Sequence, residues 1–161
     1  MMGVGKSTIG RILAKKLNTK FIDVDKIIEK SEKRSIKKIF QIDGENYFRK
    51  LEEKTTIKIL KSKKAVIALG GGAFMNDQIR SEVLKSCVSF WLSLRFDQLI
   101  KRYKRNNRRP LLNKENLEND VKKIYKSRKK VYRLADFRIK CDNIEKSLSL
   151  IHISEPTRPI D

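Results

Sequence analysis

The chain has 161 residues, of which 39% are hydrophobic, and this is enough for one globular domain with a buried core. Its 39 Lys and Arg residues against 19 Asp and Glu residues give a net charge of +20, which raises a nucleic-acid-binding hypothesis. No apolar run approaches the ~20 residues of a membrane span, and the first residues lack the layout of a secretory signal. We therefore expect a cytoplasmic protein with no membrane partner.

The positive charge is spread over every predicted helix, with denser runs at residues 102–109 and 122–130. Aromatic residues do not interleave these runs as they do in single-strand binders. We expect mostly solvated surface charge and no specific nucleic-acid partner, with a basic nucleic-acid-binding domain as the alternative. The two cysteines, Cys87 and Cys141, lie in apolar strand-like runs, which predicts reduced core thiols.

The start of the chain is typical of a phosphate-binding loop that runs into a helix. The residues concerned are Gly3, Val4, Gly5, Lys6, Ser7 and Thr8. In such a loop the glycines let backbone N–H groups approach phosphate oxygens, the lysine reaches the terminal phosphates, and the hydroxyl binds Mg²⁺. Ile9, Ile12, Leu13 and Leu17 follow at helical spacing, so the alternative is an ordinary amphipathic helix with a glycine-rich start. The first glycine of the full pattern would precede Met1, and we therefore expect the buried strand that should lead into the loop, the first strand, to be missing.

Strands alternate with helices along the rest of the chain, which predicts an α/β fold: a three-layer open parallel sheet with helices on both faces. We predict strands at residues 21–25, 64–69, 87–94 and 137–141, and helices at residues 26–33, 36–40, 45–60, 76–84, 97–105, 117–135 and 144–151. Ligands of such sheets bind at the carboxyl ends of the strands.

The end of the chain departs from this texture. Residues 149–159 hold two of the three prolines and the only histidine. We predict a single domain at residues 1–150 and a non-native tail at residues 151–161.

Several motifs occur in a fixed order after the phosphate loop. They are Asp23-x-Asp25, Gly44-Glu45-x-x-Phe48-Arg49, the glycine triad Gly70, Gly71 and Gly72, Arg109-Pro110-Leu111-Leu112, and Arg128 shortly before Tyr132. In this order the sequence resembles the shikimate kinase family from Gly3 to about Asp142. The resemblance implies a monomeric P-loop kinase with a five-stranded parallel sheet of the nucleoside monophosphate kinase type, in which the missing first strand would be central. It also implies ATP-dependent phosphorylation of the 3-hydroxyl of shikimate in aromatic amino acid biosynthesis. A gluconate or nucleotide kinase, the alternative, would keep the phosphate loop without the later motifs.

The resemblance assigns roles in catalysis and nucleotide binding. Ser7 and, through water, Asp23 are the expected Mg²⁺ partners, and Lys6 binds the phosphates of ATP. Asp25, expected on the same side of an extended strand as Asp23, would hold the substrate hydroxyl and accept its proton; the alternative is a helix N-cap. Arg102 would stack on adenine. Arg109, in a lid at residues 106–116, would neutralise charge on the transferred phosphoryl group.

The resemblance also assigns a substrate-binding helical segment at about residues 25–60. Arg49 and Arg128 stand where the family binds the substrate carboxylate, which suits the fork geometry of arginine. Glu52, three residues after Arg49 on one helix face, would orient it. The glycine triad would close a strand end against the substrate ring, and its alternative is a plain turn.

Overall fold

The computed structural model describes residues 5–62, 64–105 and 117–141, without the side chains of residues 102–105 and 117. It divides into two compact units. The N-terminal unit is Lys6–Val88, and the C-terminal unit is Ser89–Asp161 together with Met1–Gly5. The single domain expected for residues 1–150 stays a prediction, and the terminal helix at residues 144–151 and the tail at residues 151–161 lie outside the described residues.

The N-terminal unit alternates helices and strands in the predicted order. Its elements are α1 (Lys6–Lys16), β1 (Lys20–Asp23), α2 (Val24–Glu32), α3 (Ile36–Ile42), α4 (Gly44–Ser62), β2 (Ala65–Ala68), a 3₁₀ turn (Ala73–Met75) and α5 (Asp77–Ser86). Strands β1 and β2 are parallel and in register from Lys20 with Ala65 to Asp23 with Ala68. Their carboxyl ends therefore lie side by side.

The core of this unit is formed by apolar side chains of α2, α3 and α4. It contains Val24, Ile28, Ile39, Phe48 and Ile59, each at most 7% exposed. Helix α1 approaches β1 closely at Gly10. A Cβ at this position would overlap the ring of Phe21, so only a glycine allows the approach. This contact fixes the start of α1, and with it Lys6 and Ser7, beside the strand that ends in Asp23.

The C-terminal unit contains β3 (Phe90–Ser93), α6 (Phe96–Arg105), α7 (Leu117–Tyr132) and β4 (Phe137–Lys140). Strands β3 and β4 are parallel, and Phe90 is paired with Phe137. The entry to both strands is fixed by Asp136, whose Oδ2 accepts from Ser89 N at 2.8 Å and from Ser89 Oγ at 2.6 Å.

The predicted strands are parallel, as expected, and the four described strands form two two-stranded sheets. The strand predicted at residues 87–94 begins only at Phe90. Cys87 is half-buried at the C-cap of α5 and Val88 is 66% exposed, whereas Cys141 is buried as predicted. Leu17 was expected on the apolar side of the first helix, but it follows α1 and is 62% exposed. Single exposed apolar residues are common on protein surfaces.

Among the described helices, none combines the length and the apolar character needed to cross a membrane.

Candidate active site

The start of α1 and the ends of β1 and β2 bring three predicted residues together. Lys6 Nζ donates to the backbone oxygen of Leu69, just past β2, at 2.7 Å. Ser7 Oγ donates to Asp23 Oδ2, at the end of β1, at 2.9 Å. Gly5, directly before the helix, has φ +87°, a backbone conformation that glycine adopts at little cost. The start of α1 thus presents an ammonium group and a hydroxyl at the carboxyl ends of β1 and β2. The dipole of helix α1 favours an anion at this place.

Ser7 and Asp23 have the chemistry of a Mg²⁺ site. Both supply hard oxygen atoms, and Mg²⁺ usually binds through one or two protein oxygens together with phosphates and water. The 2.9 Å between Ser7 Oγ and Asp23 Oδ2 shows that the two groups can face one ion. The residues present therefore fit the metal that the sequence predicts. Among the described residues, no group of three or more His, Cys, Asp and Glu side chains could hold a metal by itself.

The structure decides which of the two aspartates caps α2. Asp23 is the N-cap of α2 and accepts from Lys26 N at 3.5 Å. The expectation that Asp25 continues an extended strand is wrong, because α2 already begins at Val24 and places Asp25 in its first turn. The carboxylate of Asp25 lies near the glycine triad: its Oδ1 is 2.8 Å from the position that a Cβ of Gly70 would take.

Arg49 is held by two carboxylates of its own helix. Its Nη1 donates to Glu52 Oε2 at 2.8 Å, while Nε and Nη2 donate to Glu45 Oε1 at 3.2 and 3.1 Å. The guanidinium carbon also lies 5.3 Å from the ring centre of Phe48 and 6.0 Å from that of Phe40. The side chain of Arg49 is 37% exposed, against 3% for that of Glu52. The fork of Arg49 is therefore preorganised and still reachable from solvent.

The pKa values reflect this pairing inside the protein. Burial raises the pKa of Glu52; the hydrogen bond and charge of Arg49 partly offset this, Asp25 raises it further and Lys6 lowers it. Burial lowers the pKa of Arg49, but hydrogen bonds and charge attraction from Glu52 and Glu45 outweigh it, so its pKa lies above the ordinary value. Lys6, Asp25, Arg49 and Glu52 thus form one electrostatic group.

The glycine triad stands directly against this group. A Cβ on Gly70 would overlap Glu52 Oε1, and one on Gly72 would lie 2.7 Å from Arg49 Nη1. Ordinary carbon contacts begin at 3.4 Å. Gly70 and Gly72 therefore permit a close approach of the backbone to the side chains of Glu52, Asp25 and Arg49, which a plain turn does not require.

The remaining predicted site residues lie in the C-terminal unit, on the surface of α1 or outside the described residues. Arg128 lies half-buried on α7 of the C-terminal unit, so its pairing with Arg49 stays a prediction. Thr8 is exposed on α1. Gly3, Val4 and Arg109, with the lid at residues 106–116, lie outside the described residues, as does the side chain of Arg102.

Sequence reasoning missed three partners of this site. Glu45 stands four residues before Arg49, a spacing that could have indicated the pair. The carbonyl of Leu69 and the hydrogen bond between Glu53 and Asn76, 23 residues apart, had no local signal, because they depend on the packing of separate elements.

Comparison with known proteins gives consistent matches. A family model described as shikimate kinase matches residues 2–155. The shikimate kinase of Sulfurihydrogenibium sp. (strain YO3AOP1) is 43% identical over 141 residues, which cover 88% of this chain and 84% of that protein. The shikimate kinase of Persephonella marina is 40% identical over 138 residues, covering 86% and 83%.

Solved structures match as well. A shikimate kinase from Acinetobacter baumannii in complex with shikimate is 30% identical, with a TM-score of 0.85, and the match covers 94% of this chain and 87% of that one. A shikimate kinase from Bacteroides thetaiotaomicron is 27% identical, with a TM-score of 0.84 and coverage of 94% and 92%.

Proposed function

This chain belongs to the shikimate kinase family and is a phosphotransferase of aromatic biosynthesis, and we propose that the group at the carboxyl ends of β1 and β2 is where it transfers the γ-phosphoryl group of ATP to the 3-hydroxyl of shikimate. The observation that carries this assignment is the approach of Asp25, Glu52 and Arg49 to Gly70 and Gly72. A carboxylate base, an arginine fork and an open backbone face one another there, as a small hydroxy acid requires.

Asp25 is the proposed base. It accepts the proton of the 3-hydroxyl as that oxygen attacks the γ-phosphorus and the bond to the β-phosphate oxygen breaks. A positioned carboxylate of this kind typically contributes ~10²–10⁴-fold to the rate. The N-cap of α2 is Asp23, so the alternative role of Asp25 as a helix cap does not apply.

Lys6 is the proposed phosphate ligand, and Ser7 and Asp23 are the proposed ligands of Mg²⁺. When bound, Mg²⁺ would neutralise charge on the β- and γ-phosphate oxygens. Positioning and charge stabilisation supply most of the catalysis in phosphoryl transfer, and the contacts of Lys6 and Ser7 fix the start of α1 for this purpose.

Arg49 is the proposed carboxylate ligand of the substrate, with Arg128 as a second one. Glu45 and Glu52 hold the guanidinium of Arg49 in place, so little side-chain freedom is lost when shikimate binds. Arg102 and Arg109 are proposed to contact the adenine and the transferred phosphoryl group.

We further propose that the protein acts in the cytoplasm as a monomer, without a membrane or specific nucleic-acid partner. Asp25, Arg49, Glu52 and the glycine triad all come from one unit of one chain, which supports a site that needs no second copy. Neither Cys87 nor Cys141 is part of a disulfide, which suits a reducing compartment.

A coupled assay of ADP release tests the function. We expect Mg²⁺-dependent turnover with shikimate and ATP, and none with gluconate or a nucleoside monophosphate. Turnover with either of those acceptors and none with shikimate would overturn the assignment. The same assay on Asp25→Asn separates chemistry from binding, since the variant keeps the shape of the side chain and loses the base.

A further inference from the structure

The segment that leads away from the glycine triad is held against α4 by a hydrogen bond between residues far apart in sequence. Asn76 Nδ2 donates to Glu53 Oε2 at 2.6 Å. We propose that Glu53 and Asn76 are positioning residues for the substrate pocket. Their bond, here named the Glu53–Asn76 latch, holds residues 70–76 against the helix that carries Arg49 and Glu52. This inference rests on the proposed function of the pocket.

Asn76 uses both ends of its amide. Its Oδ1 accepts from Gln78 N at 2.9 Å and from Ile79 N at 3.0 Å and so caps α5. With the oxygen committed to the cap, the amide nitrogen is left facing the carboxylate of Glu53. Because a charged acceptor makes such a hydrogen bond shorter and stronger than a neutral one, Asn76 ties the start of α5 to α4.

The chain between Asn76 and the triad is a continuous run of tight turns. Asn76 N donates to Ala73 O at 3.0 Å, Met75 N to Gly72 O at 3.0 Å, and Ala73 N to Gly70 O at 3.2 Å. Ala73 is fully buried. A displacement of Asn76 is therefore passed back through these turns to Gly72 and Gly70.

Arg80 stiffens the same segment from the side of α5. Its Nη1 donates to Phe74 O at 3.2 Å and to Met75 O at 3.1 Å, and its Nη2 pairs with Asp77. The turns consequently move as one body together with the start of α5, and the latch determines where that body lies along α4.

Two consecutive residues of α4, Glu52 and Glu53, contact the two ends of the segment 70–76. Glu52 faces Gly70 and pairs with Arg49, and Glu53 holds Asn76. Both ends of the segment, Gly70 and Asn76, thus contact the same helix. The triad lies against Arg49, the proposed ligand of the substrate carboxylate, so a small shift of the triad relative to Arg49 should weaken substrate binding.

The test begins with Asn76→Asp. This change keeps an oxygen for the cap of α5 but puts a second oxygen where Nδ2 stands, against Glu53 Oε2. We expect the KM for shikimate to rise about tenfold, while kcat and the KM for ATP change less than about twofold, because ground-state binding of one substrate is affected. The amides of Ala73, Met75 and Asn76 should exchange faster with deuterium.

The decisive variant is the double substitution Glu53→Gln with Asn76→Asp. It restores a donor–acceptor pair with the direction reversed, and we expect the KM for shikimate to return to within about threefold of the parent. Gln78→Glu is the matched control, because it adds the same charge at an exposed position of α5 and should leave both readouts unchanged.

Two results would overturn the latch: parental KM and parental amide exchange in Asn76→Asp, or no recovery in the double variant. A general loss of stability would instead lower kcat and affect both substrates. If the parent protein lacks activity with shikimate, the proposed function fails, and amide exchange in the single and double variants still decides whether the latch holds residues 70–76.

Discussion

Gly70→Ala is expected to damage catalysis far more than folding. The new Cβ would overlap Glu52 Oε1 and lie 2.8 Å from Asp25 Oδ1, where ordinary contact begins at 3.4 Å. Asp25 must therefore retreat by about 0.6 Å and Glu52 by more, or the backbone of Gly70 must move by the larger amount. Since ~1 Å of misplacement at a reacting group can cost ~10²-fold, and two carboxylates are displaced, we expect kcat/KM for shikimate to fall by about 10²-fold.

The cost in stability should be moderate. Overpacking a buried site typically costs ~1–3 kcal/mol, and for a chain of this size each kcal/mol lowers Tm by about 2–4 °C. Gly44→Ala provides the control: Gly44 has φ +81° with no atom within 4 Å of an added Cβ, so the backbone is strained by ~1 kcal/mol without a contact at the site. It should lower Tm and leave kcat/KM unchanged.

The loss of kcat/KM in Gly72→Ala should lie between the losses in Gly70→Ala and Gly44→Ala. Its Cβ would meet Arg49 Nη1 at 2.7 Å, but a guanidinium at the end of a flexible side chain can move. The measurement is kcat/KM from the coupled assay beside a thermal melt for all three variants. If Gly70→Ala lost stability like Gly44→Ala but kept parental kcat/KM, the assignment of Asp25 and Glu52 to the site would be refuted.

The remaining predictions concern the charged groups of the site. Asp25→Asn should lower kcat by ~10²–10⁴-fold with a parental melting curve; a parental kcat would show that Asp25 is not the base. Arg49→Lys should raise the KM for shikimate by about tenfold or more, because lysine lacks the two-pronged donor geometry, and an unchanged KM would contradict this role. The pKa of Glu52 is raised above 4.5 in the folded protein, so the folded state binds this proton more tightly than the unfolded chain does. Its contribution to the free energy of unfolding therefore falls as pH rises from about 4.5 through the folded pKa. Urea titrations at several pH values should show this slope in the parent and lose it in Glu52→Gln.

Much of the fold was determined by local sequence patterns. The strand that ends in Asp23, the helix broken at Asp43 and Gly44, and the apolar run before Gly70 all lie where periodicity and turn residues predicted them, within a few residues. Local propensity decides such elements because each is specified by residues near one another in the chain. The limits of β3 were less well predicted, since burial of residues such as Val88 depends on what packs against them.

The residues of the proposed site were expected from the sequence. Order and residue type indicated Lys6, Asp25, Arg49 and the glycine triad, and the family resemblance gave them roles. The choice of N-cap between Asp23 and Asp25 was decided by the structure, because it depends on where α2 begins. The Glu53–Asn76 hydrogen bond and the contact of Lys6 with Leu69 belong to the tertiary structure alone: each joins residues distant in sequence, and only the packing of α4, α5, α1 and β2 brings their atoms within reach.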